Sequence, residues 1–184
     1  SARALRSSQY LWLADLSTKC RDLLHCEADE EGLAACYAIG EQSGNDDAFS
    51  GYSIQLWMLR LDRGGLDELV DLVAMNIEAF PQVHAWRVAY LSMTGCLERF
   101  DDARAALVVL ADYDYALPPN SVWLSATMEI GRIAVLLDEL DVAATVLALL
   151  QPFAGQVAVT ANSMSLGAAD RSIGIILRAL DRID

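Results

Sequence analysis

Asp67-Glu68-Leu69-Val70-Asp71-Leu72-Val73 opens a block that comes back twice. It returns as Asp101-Asp102-Ala103-Arg104-Ala105-Ala106-Leu107 and again as Asp141-Val142-Ala143-Ala144-Thr145-Val146-Leu147. The starts lie 34 and then 40 residues apart. A period of about 34 residues is the length of one helix–turn–helix repeat. Units of this kind cannot bury their apolar faces alone, so they stack into an α-solenoid, an architecture that binds partners.

Outward from these blocks, apolar residues at helical spacing predict nine helices, over 6–25, 29–42, 47–61, 66–80, 83–97, 102–112, 122–137, 141–153 and 166–182. Ile54, Trp57, Met58 and Leu61 mark the third, and Trp86, Tyr90 and Met93 the fifth. Gly64-Gly65 reads as a turn, Pro81 as a stop, and Gly155 as a left-handed terminator. Asp101 is expected to cap the sixth helix, and Asn120 or Ser121 the seventh. The loop over 113–120 lengthens the spacing from 34 to 40. Residues 156–160 are β-branched and short, and read as an extended linker with no second strand to pair with. The ninth helix is left without a partner in this chain. Trp12, Trp57, Trp86 and Trp123 fall one on each first helix of a pair, and Ala35, Ala103 and Ala143 mark close approach on the second helices.

The chain has 184 residues, of which 54% are hydrophobic. That is ample for a core and excludes disorder. Its formal net charge is −13, so a phosphate backbone is repelled and direct nucleic-acid binding is not expected. The longest apolar runs, 105–111 and 142–150, are far short of a membrane span. Cys20, Cys26, Cys36 and Cys96 have no paired spacing and read as free, buried thiols of a cytoplasmic protein. The chain begins at Ser1 with neither a Met nor a signal peptide, which suggests a fragment cut from a longer protein.

The unit ending at Pro81 carries Leu56, Gly64 and Pro81 near the places they hold in the tetratricopeptide family, which it loosely resembles. It lacks that family's small residue at Trp57 and its Tyr at Arg60. A closer set of matching pieces starts with Phe80-Pro81, Ala85-Trp86-Arg87 and Phe100-Asp101-Asp102-Ala103-Arg104. Trp123-Leu124, Leu150-Gln151-Pro152-Phe153-Ala154-Gly155, and Gly167, Arg171 and Gly174 complete it. In their order and spacing these resemble the helical-repeat region of large bacterial regulators. Such regulators join a signal-transduction ATPase to a LuxR-type DNA-binding domain or a nucleotide cyclase. His25-Cys26 stands where a glycine turn is usual, and Gln156 where a basic residue often follows. The resemblance implies an all-α fold. It would be a right-handed α-solenoid of tetratricopeptide-like helix pairs, forming one domain over 1–184. The role implied is a non-catalytic interaction or regulatory scaffold inside a cytoplasmic signalling or transcription regulator.

No residue set for chemistry competes with that expectation. Cys20 and Cys26 lie six residues apart, about 240° around a helix, which is no zinc geometry. Asp101-Asp102 sits where a helix start wants negative charge, and Asp112-Tyr113-Asp114 at a helix end. Ser7-Ser8, Ser163 and Ser165 lack a G-x-S-x-G setting, and G-x-x-x-x-G-K-[ST] is absent. No catalytic residue, metal or cofactor is expected.

The partner expected is a protein, a peptide or another domain of the same chain. Repeat geometry would aim Ile54, Met58, Val88, Ser92, Ser125, Met128 and Arg132 at the concave side, with Arg132 suited to a carboxylate. The rival reading is a small-molecule sensor, with an apolar pocket rimmed by the 113–120 loop. On the last helix Ile173, Ile176, Leu177 and Leu180 form a stripe that should dock on the eighth. Ile175 and Ile183 would face outward and drive self-association.

Overall fold

A computed structural model describes residues 2–115, 117–160 and 163–181. It is mostly helical, at 71%. Nine α-helices and one two-stranded sheet are found among the described residues. The chain divides into two compact units, one of residues 1–65 with 159–165, the other of 66–158 with 166–184.

The first unit holds α1 (Ala2–Leu24), α2 (Glu30–Gln42) and α3 (Ala48–Arg63), each packed on the other two. The turn after α1 puts Cys26 at φ +59°, a left-handed position that glycine takes without penalty. α2 starts cleanly, because the Asp29 carboxylate accepts the Gly32 N–H at 2.7 Å and Glu30 and Glu31 fill the first turn. Trp12, Leu16, Cys36 and Ala48 form one buried cluster, and Ala28, Leu33 and Leu59 another. Close approach is made at Gly40, where an added Cβ would meet Trp12 Nε1 at 2.6 Å and Ala48 Cβ at 2.7 Å. Ala35, expected to mark that approach, is exposed instead. The fully buried Gln55 on α3 donates from Nε2 to the carbonyls of Leu16 (3.0 Å) and Ser163 (3.1 Å).

The second unit holds α4 (Asp67–Ala79), α5 (Ala85–Cys96), α6 (Phe100–Ala111), α7 (Trp123–Leu136), α8 (Leu140–Leu150) and α9 (Ala169–Ala179). Each recurring block sits at a helix start, with Asp67, Asp101 and Asp141 in the first turns of α4, α6 and α8. The third and seventh residues of every copy are buried: Leu69 and Val73, Ala103 and Leu107, Ala143 and Leu147. They are four residues apart, one helical face, so the repeat encodes an inward-facing stripe. α5 packs on α4, α6 and α7, and α7 packs on α8 and α9. Buried from Ser125 to Gly131 without a break, α7 is the core helix of this unit.

Four expectations are corrected. Residues 156–160 are not a lone linker: β1 (Val157–Thr160) pairs with β2 (Met164–Ala168), and the Ser163 N–H closes the turn on the Thr160 carbonyl at 2.8 Å. The ninth helix does not begin at residue 166. Gly167 stands at φ +83°, outside helical space, so α9 starts two residues later. Asp101 is not the cap of α6. Arg99 holds that place and Asp101 lies in the first turn, where its charge still faces the helix dipole. Likewise Val122, not Asn120 or Ser121, is the N-cap of α7, although the Asn120 side chain accepts the Val122 N–H at 3.0 Å.

Ala103 and Ala143 have no exposed surface, so Leu at either place must displace a neighbouring helix. Urea melts of Ala103→Leu and Ala143→Leu should show a loss of about 1–3 kcal/mol each. A change below a few tenths at both sites would show that neither is a close contact.

Candidate functional site

Two polar features of the second unit stand out, and both are built on α5. The first is where α5 meets α7. An added Cβ at Gly95 would lie 2.6 Å from Ile133 Cδ1 and 3.2 Å from its Cγ2, so any side chain there would force the fully buried Ile133 to shift. One turn away, Ser92 and Cys96 of α5 face Glu129 and Arg132 of α7. Ser92 Oγ donates to Glu129 Oε2 at 2.6 Å. Arg132 Nη2 donates to the same oxygen at 2.7 Å, to Ser92 Oγ at 3.2 Å and to Cys96 Sγ at 3.3 Å. Arg132 Nε reaches both Glu129 oxygens at 3.2 Å. Burial alone would lower the Arg132 guanidinium. Its hydrogen bonds to Glu129 and the charge of that carboxylate outweigh burial and hold it above its ordinary value.

This arrangement changes the reading of the expected concave face. Val88, Ser92, Ser125 and Met128 are buried, and Val88 and Met128 belong to the apolar core of the unit. They hold helices together and offer no surface to a partner. Arg132 does not await an external carboxylate, because Glu129 already supplies one. Ile54 and Met58 lie half-buried on α3 of the first unit. Glu129 was missed in the sequence, although its place three residues before Arg132 in an apolar helix was the available signal. On α9 the stripe of Ile173, Ile176, Leu177 and Leu180 packs into the core, against α7 as well as α8. Ile175 is half-buried, and Ile183 lies outside the described residues.

The second feature is a groove of about 230 Å³ along α4, α5 and α6. Its lining includes Ile77 of α4, Arg87 and Tyr90 of α5, and Asp102, Ala106 and Val109 of α6. Arg87 and Tyr90 are three residues apart on one helix face. Arg87 Nε is shielded from water and has no hydrogen-bond partner. Asp102 is engaged by Arg99, at 2.7 Å from Nη2 and 2.8 Å from Nε. His84 occupies the N-cap position of α5. Its side chain makes no cap hydrogen bond, and its ring stacks tilted on Tyr113 at 4.3 Å.

The thiols divide by environment. Cys26 is exposed, against the expectation that all four are buried, Cys20 and Cys96 are intermediate, and Cys36 is buried. Burial, then the charge of Asp15 and a hydrogen bond to it, push the Cys36 thiol from an ordinary 9.0 up to about 12. No group of three or more His, Cys, Asp or Glu is arranged to hold a metal among the described residues. Nor is any helix there long and apolar enough to cross a membrane. No protein-family model, curated protein or solved structure matches the chain.

Removing Glu129 would strand the Arg132 charge. Breaking a buried pair costs about 3–5 kcal/mol. Arg132 keeps 32% of its side chain exposed, so Glu129→Leu should fall near the lower end of that range in urea melts. The Glu129→Leu, Arg132→Leu double variant should recover most of the loss. Equal losses in single and double variants would show that the pair does not couple.

For Cys36 the folded value lies above the unfolded one. Its stabilising contribution is therefore complete below about pH 9 and disappears as pH rises towards about 12. A disulfide reagent at pH 8 should label Cys26 in the folded protein and leave Cys36 untouched until denaturant is added. Fast native labelling of Cys36 would contradict its burial.

Proposed function

We propose that this chain is a non-catalytic interaction module, a right-handed stack of tetratricopeptide-like helix pairs working as a scaffold inside a cytoplasmic bacterial signalling or transcription regulator. Its partner is a protein segment, from another domain of the same polypeptide or from a separate chain. The observation that carries this reading is the α4–α5–α6 groove, lined by apolar side chains, Tyr90, Asp102 and an Arg87 without an ion-pair partner among the described residues. The same helices also expose apolar side chains, Leu72 and Met75 on α4 and Val108 on α6. Exposed apolar surface beside fixed polar groups is what an interface for a peptide or helix needs.

Size favours a segment over the rival small-molecule reading. Pockets for drug-sized ligands run from about 300 to 1,000 Å³ and enclose most of the ligand. At about 230 Å³ the groove has room for a side chain or two of a longer partner. None of the described residues of the 113–120 loop, expected as the rim of a sensing pocket, lines it. The resemblance of the ordered sequence pieces to regulator repeat regions supports the cellular context.

A photo-reactive amino acid placed at Val109 in the native host tests the reading. A discrete protein adduct should form from Val109, and none from the same group placed at exposed Glu31 on the first unit. No adduct from Val109 under any growth condition would count against an interaction role for this groove.

A further inference from the structure

The geometry points to an acidic side chain as what the groove receives: a partner segment lays an Asp or Glu against Arg87 and Tyr90 and sets an adjoining aliphatic side chain on Ile77, Ala106 and Val109. This rests on the interaction reading and specifies the chemistry of the partner.

The argument starts from Arg87. Most arginines with a described environment in this chain are matched by acids. Arg21 pairs with Asp22, Arg60 with Glu30, Arg99 with Asp102, Arg104 with Glu139 and Arg132 with Glu129. Arg87 has no such partner among the described residues. Its Nε is closed off from water and points at no acceptor. That nitrogen is out of reach of an entering group, so what the groove offers is the Arg87 charge, which a carboxylate matches best. Asp102 borders the groove, but Arg99 holds it through two nitrogens and offsets its charge. Arg87 is then the cation of the lining without an acid matched to it, in a chain of net charge −13. At physiological salt, charges more than about 8 Å away are largely screened, so charges at the groove weigh most in the encounter. A basic partner would bring a second cation to an unmatched one.

The apolar part of the groove fixes the rest. Ile77, Ala106 and Val109 give a lining with no polar side chain, next to the two α5 donors. A segment carrying an aliphatic residue beside Asp or Glu satisfies both parts at once. Its carboxylate can pair with the Arg87 charge and accept from the Tyr90 hydroxyl, three residues along the same face.

The test uses two peptides, acetyl-Ala-Leu-Glu-Leu-Ala-amide and the same peptide with Gln for Glu. Each is titrated against isotope-labelled protein and followed by amide shifts in nuclear magnetic resonance. The Glu peptide should move α4–α6 amides and bind at least about tenfold tighter than the Gln peptide, an advantage that shrinks as salt is raised. Arg87→Gln should abolish the difference between the peptides. Arg87→Lys, which keeps charge and loses the Nε donor, should retain part of it, and guards against a misfolded Gln variant. Equal binding of both peptides to the wild type, an undiminished difference in Arg87→Gln, or no binding of the Glu peptide up to its solubility limit each overturns the assignment. Val109→Arg separates this failure from failure of the interaction reading. If both peptides bind equally and Val109→Arg removes both, the groove is an interface without the proposed charge preference.

Discussion

The contact at Gly95 and Ile133 sets the terms for the second unit. A side chain at position 95 would push α7 away, and the polar groups one turn off would lose register. With the helices this near, Glu129 and Arg132 of α7 reach Ser92 and Cys96 of α5, and each buried polar atom finds a partner. Burying a charge is costly unless it is paired and hydrogen-bonded, so this cluster tolerates one arrangement of the two helices and penalises slippage. On another face of α7, Gly131 does the same for its neighbours. A Cβ there would stand 2.8 Å from Ile176 of α9 and 3.0 Å from Val146 of α8. Two glycines thus decide how α7 can be surrounded by helices.

Much of this order could be read before any coordinates. The recurring block told where helices start and which residues point inward, because acidic first turns and an i, i+4 apolar pair are local consequences of helix geometry. Gly64 and Gly155 behaved as turn glycines, at φ +93° and +80°. What was not legible depended on which surfaces meet. Val88 and Met128 looked like members of an open face because repeat spacing cannot say which side of a helix a neighbour covers. Arg132 looked unmatched because Glu129, three residues before it, was not considered as its partner. Residues 164–168 contain no β-branched residue, so nothing in Met164-Ser165-Leu166-Gly167-Ala168 announced a strand. Pairing with 157–160 came from outside the segment, and Gly167 supplied the break that kept the helix from starting earlier.

The two arginines on either side of this comparison carry opposite lessons. Arg132 drew attention in the sequence and proves to be internal, spending its donors on Glu129, Ser92 and Cys96. Arg87 drew none beyond a place in a family-like string, yet its Nε is closed off without an acceptor and it has no ion-pair partner among the described residues. The difference lies in neighbours at i ± 3. Glu129 stands three residues before Arg132, whereas His84 and Tyr90 flank Arg87 and neither brings negative charge. Position on an apolar helix therefore says less about an arginine than the identity of the residues one turn away.

That contrast bears on the groove lined by α4, α5 and α6. A structural arginine is selected with its partner, as the Glu129 pair illustrates, because an unmatched buried donor lowers stability with no return inside the fold. Arg87 lines the groove without an ion-pair partner among the described residues, so an entering carboxylate would match its charge, and that gain would appear as affinity. The Arg132 cluster holds α5 in place from the other side, so the guanidinium is presented on a helix whose position is already fixed before a partner arrives.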